Sequence, residues 1–213
     1  MVEVLKVVSG HGGELVLRTD GAAFEVIENG VFLMDTRNGE SERLLATGAA
    51  DRLGSGARML IGGLGVGFSL RAALDHGGVG EVVVLEREPA VIEWNRTGPL
   101  RAVHGAALAD PRVRVVEADL LRWLDITEET FDALCLDIDN GPEWTVTEGN
   151  AQLYAESGLD RLIRLLRPGG VLAVWSAGAA PEFTERLRGR FASVEVVPVP
   201  VPRGEPDVLW FAR

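Results

Sequence analysis

The stretch MLIGGLGVGFSLRAAL, Met59 to Leu74, runs from an apolar strand-like segment through clustered glycines into a helical pattern, and its reading decides the fold. A turn of this kind brings backbone close to a ligand at a helix N-terminus. Gly62, Gly63, Gly65 and Gly67 are therefore the first cofactor-binding candidates. Three of them are spaced GxGxG. The dinucleotide fingerprint GxGxxG requires glycine where Phe68 stands, and no GK[ST] follows. Nicotinamide dinucleotides and nucleoside triphosphates both lose support.

Outward from this turn, strand-like runs recur at Met59 to Ile61, Glu81 to Glu86, Val113 to Val116, Ala133 to Asp137 and Val171 to Trp175. Helical stretches alternate with them: SLRAALDHG, PAVIEWNRT and AESGLDRLIRLLRPGG. That alternation predicts an α/β fold, a mostly parallel twisted sheet with helices on both faces. Before it, VEVLKVV, ELVLRT and AFEVIENGVFLM read as three β-type segments, and ESERLLATGAADRL as a lead-in helix. We expect a small β-rich unit with its helix over residues 1–50 and the main domain over 51–213. After a further helix, PEFTERLRGRF, the segments SVEVVPVPVP and DVLWFAR read as a terminal antiparallel hairpin at a sheet edge, where proline is tolerated.

The 213 residues are 46% hydrophobic and 25% charged, enough for one core that needs neither metal nor disulfide. A net charge of −11, with Lys6 the single lysine, argues against a nucleic-acid-binding surface. No apolar window reaches the roughly 18 residues of a membrane span, so a cytoplasmic placement is expected. Cys135 stands alone in an apolar run and reads as a buried small hydrophobe. It rules out an intrachain disulfide and any zinc site with two cysteines, while His11, His76 and His104 lack metal-ligand spacing and read as surface or loop histidines. No metal is expected. Trp94, Trp123 and Trp210 read as core.

Ligands of open α/β sheets bind outside the carboxyl ends of the strands, and here those ends carry glycine or acid. The second strand, VVVLERE, ends in Glu86, about twenty residues beyond the glycine turn, where a carboxylate accepts from two ribose hydroxyls. Arg87 follows it at the same edge. The third strand delivers Asp119, placed to accept from an adenine amino group. The fourth ends in Asp137 and Asp139, where like-charge proximity raises the basicity of a candidate proton acceptor. Alternating strand geometry also allows the two to point apart. Trp144 and Tyr154 follow, aromatic candidates for the wall of an acceptor site.

Taken in order, GGLGVGFSLRAAL, VVVLEREPAVIEWN, VRVVEADLLRWL, FDALCLDIDNGP and LYAESGLDRLIRLLRPGGVLAV resemble spermidine synthase and its relatives, within the class I AdoMet-dependent methyltransferase fold. The segment NGVFLMDTRNGESERLL is similar to that family's N-terminal β-unit. The resemblance implies that Glu86 holds the ribose, that Asp119 and Leu120 hold the adenine, that Asp137 deprotonates the attacking amine, and that the protein is a homodimer. Departures accompany it. The family's glycine turn carries an aspartate that holds the aminopropyl amine, and Val66 stands there. Its catalytic DSSDP becomes DIDNG, with Asn140 for the second aspartate. A glutamine of its amine pocket becomes Trp175. Asn140 and Trp175 thus join Trp144 and Tyr154 as candidate acceptor contacts.

An unpaired buried ammonium costs several kcal/mol, so these losses disfavour putrescine. Loss of the acid at Val66 also removes repulsion against the carboxylate of intact S-adenosyl-L-methionine (AdoMet). The sequence reading is therefore an AdoMet-dependent transferase, foremost a methyltransferase acting on a small molecule, possible amines included. The alternatives are aminopropyl transfer from decarboxylated AdoMet to a polyamine-like amine, and a catalytically silent nucleoside-binding or assembly protein.

Overall fold

Four antiparallel strands open the computed structural model, which describes residues 1–145, 147 and 149–213. β1 (Glu3–Ser9), β2 (Glu14–Thr19), β3 (Phe24–Glu28) and β4 (Val31–Asp35) pair in sequence order. The expected single segment AFEVIENGVFLM is two strands. Asn29 and Gly30, at φ 50° and 81°, form a two-residue Asn-Gly turn whose left-handed backbone suits a tight hairpin.

The chain continues through α1 (Glu40–Asp51), β5 (Ala57–Gly62), α2 (Phe68–Asp75), β6 (Val79–Glu86), α3 (Pro89–Arg96), α4 (Arg101–His104), β7 (Val113–Glu117) and α5 (Leu120–Ile126). It ends with β8 (Phe131–Leu136), α6 (Ala151–Tyr154), α7 (Glu156–Leu165), β9 (Leu166–Ser176), α8 (Pro181–Arg188), β10 (Val194–Val199) and β11 (Asp207–Ala212). The second sheet has the order β10-β11-β9-β8-β5-β6-β7, with β5 to β9 parallel and the last two strands antiparallel. β10, which carries Pro198, takes the edge, and β11 is paired on both sides.

Strand alternation divides the core in two. Met59, Ile61, Val82, Val84, Ala133 and Cys135 pack with α1, α2 and α3 on one face. Leu60, Val83, Leu85, Leu134 and Leu136 pack with α5, α7 and α8 on the other. The doubly covered parallel sheet is thus as the sequence reading has it.

Two local readings change. The helix expected through LRPGG stops at Leu165, because the residue before Pro168 is driven from helical backbone, and Leu166 opens β9 instead. His104, expected at the surface, is buried, and neither ring nitrogen is hydrogen-bonded among the described residues. It packs beneath the glycine turn, where a Cβ on Gly67 would lie 2.5 Å from its ring. Burial pushes its imidazole pKa down. Cys135 is fully buried, its thiol pushed up to about 12, and Trp94, Trp123 and Trp210 lie in the core. No helix among the described residues is long and apolar enough to cross a membrane.

Candidate active site

The strand order places β5 between β6 and β8, so the two crossovers leave in opposite directions and open a crevice at the carboxyl ends. A cavity of about 750 Å³ lies there, closed on its far side by β4 and the segment that leads into β11. Carboxylates outnumber arginines among its lining side chains by ten to two. Glu28, Asp35 and Glu88 are paired with arginine, and the concentration of negative charge in the others is costly unless a cation enters.

The glycine turn forms one wall. Gly63 (φ 91°) is required by close approach, since a Cβ there would stand 2.3 Å from the carbonyl oxygen of Asp137. Gly63 and Gly65 line the cavity. Gly62 and Gly67 do not, which corrects their assignment as ligand contacts: Gly62 ends β5 and accepts the Asp137 N–H, while Gly67 caps α2 against His104. The turn is fixed from β6, because the Leu64 N–H donates to Glu86 Oε2 at 3.0 Å and the Glu88 N–H to Oε1 at 2.8 Å. Each Glu86 oxygen keeps a second lone pair for a ribose hydroxyl. Burial raises the Glu86 pKa, against these two backbone bonds. Arg87 also lines the cavity but is committed to Glu88 at 3.0 Å and Glu28 at 3.5 Å.

Asp119 faces the cavity beside Leu120 while capping α5, its Oδ1 accepting from the Arg122 N–H at 3.0 Å. Its other oxygen is left for a ligand. Asp137, just past the end of β8, receives no side-chain hydrogen bond from the described residues and is raised well above the usual carboxylate range by burial and by the charges of Glu42 and Asp207. Asp139 is not among those causes, which corrects its expected role as the neighbour that tunes Asp137. It has left-handed backbone (φ 56°), and its carboxylate accepts from Asn150 Nδ2 at 2.8 Å.

Asn140, Trp144 and Trp175 line the cavity, Trp144 with 64% of its surface exposed. Tyr154 does not, and its reading as an acceptor wall is corrected. It is 1% exposed, stacks edge-on with Phe183, and donates its hydroxyl to the Ile138 carbonyl at 2.9 Å, bracing the segment after β8.

Glu42 and Asp207 were not found from sequence. Both surround Ser41, whose hydroxyl oxygen is 2.9 Å from Glu42 Oε2 and 2.7 Å from Asp207 Oδ2, and accepts from the Trp175 indole at 3.0 Å. Burial raises the pKa of both carboxylates. One hydroxyl has one proton, so it serves only one of them at a time. Among the described residues, no arginine or lysine forms an ion pair with Glu42, Asp137 or Asp207. Glu42 reads in sequence only as a first-turn acid of α1, and Asp207 only as the start of a strand. The 166-residue separation of Ser41 and Asp207 hides the group.

Comparison with known proteins gives a consistent result. The family described as "Spermine/spermidine synthase domain" matches residues 40–187. Polyamine aminopropyltransferase 1 of Streptomyces coelicolor is 36% identical over 124 residues, which are 58% of this chain and 23% of that protein. Polyamine aminopropyltransferase of Mycobacterium tuberculosis is 37% identical over 123 residues, 56% of this chain and 23% of that protein. The chain thus spans about a quarter of the length of these relatives. The crystal structure of spermidine synthase from Thermotoga maritima superposes with a TM-score of 0.79 at 19% identity, covering 98% of this chain and 72% of that one. Spermidine synthase in complex with the transition-state analogue AdoDATO gives 0.81 at 18% identity, with coverages of 98% and 73%.

The expectation of methyl transfer is overturned by these relatives, which are aminopropyltransferases. Its physical premise fails as well. It took Val66 to leave the cavity without an acid at that place, whereas Glu42 and Asp207 also line it. For the same reason the departures at Asn140 and Trp175 do not leave an amine without acidic partners. With its matched domain, its parallel sheet and the acid-lined crevice at the strand ends, the chain belongs to the spermine/spermidine synthase family.

Proposed function

We propose that this chain transfers an aminopropyl group from decarboxylated AdoMet to an amine acceptor of the polyamine type. The observation that carries this reading is the convergence of Glu42, Asp137 and Asp207, with no ion pair among the described residues, in a cavity that also presents Glu86 and Asp119. The first three suit ammonium groups, and the other two suit a nucleoside. A cavity of about 750 Å³ is at the upper end of the range for small-molecule sites and suits two ligands side by side. The activities named for the relatives support the same chemistry.

In this reaction the acceptor nitrogen attacks the methylene bonded to the sulfonium. A C–N bond forms, the C–S bond breaks, and its electron pair stays on sulfur to give neutral methylthioadenosine. The nitrogen sheds one proton to Asp137 and from there to solvent. Burial beside two further carboxylates makes Asp137 more basic than a free aspartate, as its role requires. Alignment of donor and acceptor is the other contribution, and such positioning lowers a barrier by up to roughly 7 to 11 kcal/mol. Glu86, Asp119 and the glycine turn fix the donor in this scheme, while Trp144, Asn140 and Trp175 border the acceptor.

The test is release of methylthioadenosine from decarboxylated AdoMet in the presence of a diamine. Asp137→Asn is expected to lower turnover by about 10²- to 10⁴-fold, the usual contribution of a positioned proton acceptor, with donor binding retained. Undiminished turnover in that variant removes Asp137 as the base.

A further inference from the structure

The donor proposed above carries a charged group of its own, the primary ammonium at the end of the aminopropyl chain that is transferred. The glycine turn has nothing to offer it, because its side chains Leu64 and Val66 are apolar and buried. Arg87 has the wrong sign and is already paired. The partner must come from the wall that faces the turn.

Glu42 occupies that wall. Its carbonyl oxygen accepts from Ser69 Oγ at 3.0 Å, so the start of α1 is tied to the first turn of α2, the helix that follows the glycine turn. Gly39 lies against the Phe68 ring, where an added Cβ would stand 2.2 Å from it, and the Arg43 guanidinium covers the same ring at 4.2 Å. Arg43 is engaged in this cation-π contact and its charge reaches Glu42 without an ion pair, while Glu42 lines the cavity. Ser41, one residue earlier, joins Glu42 to Asp207 and is held by the Trp175 indole. These contacts put two carboxylates side by side on the cavity lining, near enough for their charges to act on Asp137, and one hydroxyl proton lies between them. Neither carboxylate has an ion pair among the described residues, which marks a place for a cation with several N–H groups.

We infer that Glu42 and Asp207, held together by Ser41 and Trp175, clamp the ammonium of the donor's aminopropyl group and thereby select the decarboxylated donor over intact AdoMet. The inference rests on the proposed aminopropyl transfer. The clamp acts twice: it binds the ammonium, and it repels the carboxylate that intact AdoMet would bring to the same place. It also fixes the far end of the transferred chain, which limits how the methylene bonded to sulfur is presented to the acceptor. Glu42 and Asp207 are specificity-determining residues, and Ser41 and Trp175 are positioning residues that act through them.

Calorimetric titration of wild type, Glu42→Gln and Asp207→Asn with decarboxylated AdoMet, intact AdoMet and methylthioadenosine tests this. Methylthioadenosine has the nucleoside and the sulfur but no ammonium. Each variant is expected to bind decarboxylated AdoMet about tenfold or more weakly, to bind methylthioadenosine within twofold of wild type, and to narrow the preference against intact AdoMet. Equal weakening of methylthioadenosine and decarboxylated AdoMet overturns the clamp, because the residues then only shape the cavity. Unchanged affinity for decarboxylated AdoMet in both variants, with wild-type transfer intact, overturns it and leaves the proposed reaction standing. Failure of the wild type to bind either nucleoside overturns the proposed reaction and the clamp together. Retained methylthioadenosine binding also shows that a variant is folded.

Discussion

Asp119 serves two purposes with two oxygens, and substitution separates them. Oδ1 accepts from the Arg122 N–H at 3.0 Å and caps α5, a helix of only seven residues. The remaining oxygen lines the cavity where the adenine amino group is proposed to sit. Asp119→Ala removes both functions, at a cost of about 1 kcal/mol of stability for the lost cap. Asp119→Asn keeps an acceptor for Arg122, and asparagine caps about as well as aspartate, so stability is expected to stay within a few tenths of a kcal/mol. Its second cavity-facing atom becomes an amide nitrogen that meets the adenine amino group donor to donor. A hydrogen bond to a charged group contributes about 1.5 to 3 kcal/mol, so both variants are expected to bind methylthioadenosine roughly 10- to 150-fold more weakly. Urea unfolding measures the first quantity and calorimetric titration the second. Wild-type affinity in Asp119→Asn would refute the reasoning and leave Asp119 as a helix cap alone.

Two further predictions follow from the same geometry. Gly63→Ala places a Cβ 2.3 Å from the Asp137 carbonyl and forces a non-glycine residue to φ 91°. A loss of about 2 to 5 kcal/mol in urea unfolding is expected from strain and overpacking together, and a loss under 1 kcal/mol contradicts the close approach. The second concerns pH. Burial raises the Asp207 carboxyl pKa above its unfolded value, so the group's contribution to stability is intact below about pH 4 and is lost as pH rises through the folded value. Unliganded Asp207→Asn is therefore expected to melt above wild type at pH 7.5 and to lose that advantage near pH 4. An equal difference at both values contradicts the assignment of strain to the ionised carboxylate.

The ordered strands and helices were legible because each carries its own periodicity, and the glycine turn because its backbone demands a residue type. The places of Glu86 and Asp119 on the cavity are legible for a related reason. They sit at strand ends, and a parallel sheet brings such ends to one edge whatever the side chains between them. The Asn29-Gly30 hairpin was missed although its signal is local, while the end of α7 was set by Pro168. The acidic group of Glu42, Asp137 and Asp207 had no local signal at all. It exists only because α1 packs behind α2 and because β11 pairs with β9, placing Asp207 beside Ser41. Comparison of Val66 and Asn140 with a motif shows where charge is lost, but Glu42 and Asp207 lie on elements outside that motif. Tyr154 was misplaced for the opposite reason: an aromatic next to a binding loop looks the same in sequence whether it walls the site or braces it from behind.

The central claim is tested most directly by incubating the purified chain with decarboxylated AdoMet and a diamine, in parallel with intact AdoMet and the same diamine, and resolving the products by mass spectrometry. The account predicts methylthioadenosine and an amine heavier by one aminopropyl group in the first reaction, and no transfer in the second. Methylated amine and S-adenosylhomocysteine from intact AdoMet, with the decarboxylated donor left unreacted, would contradict it.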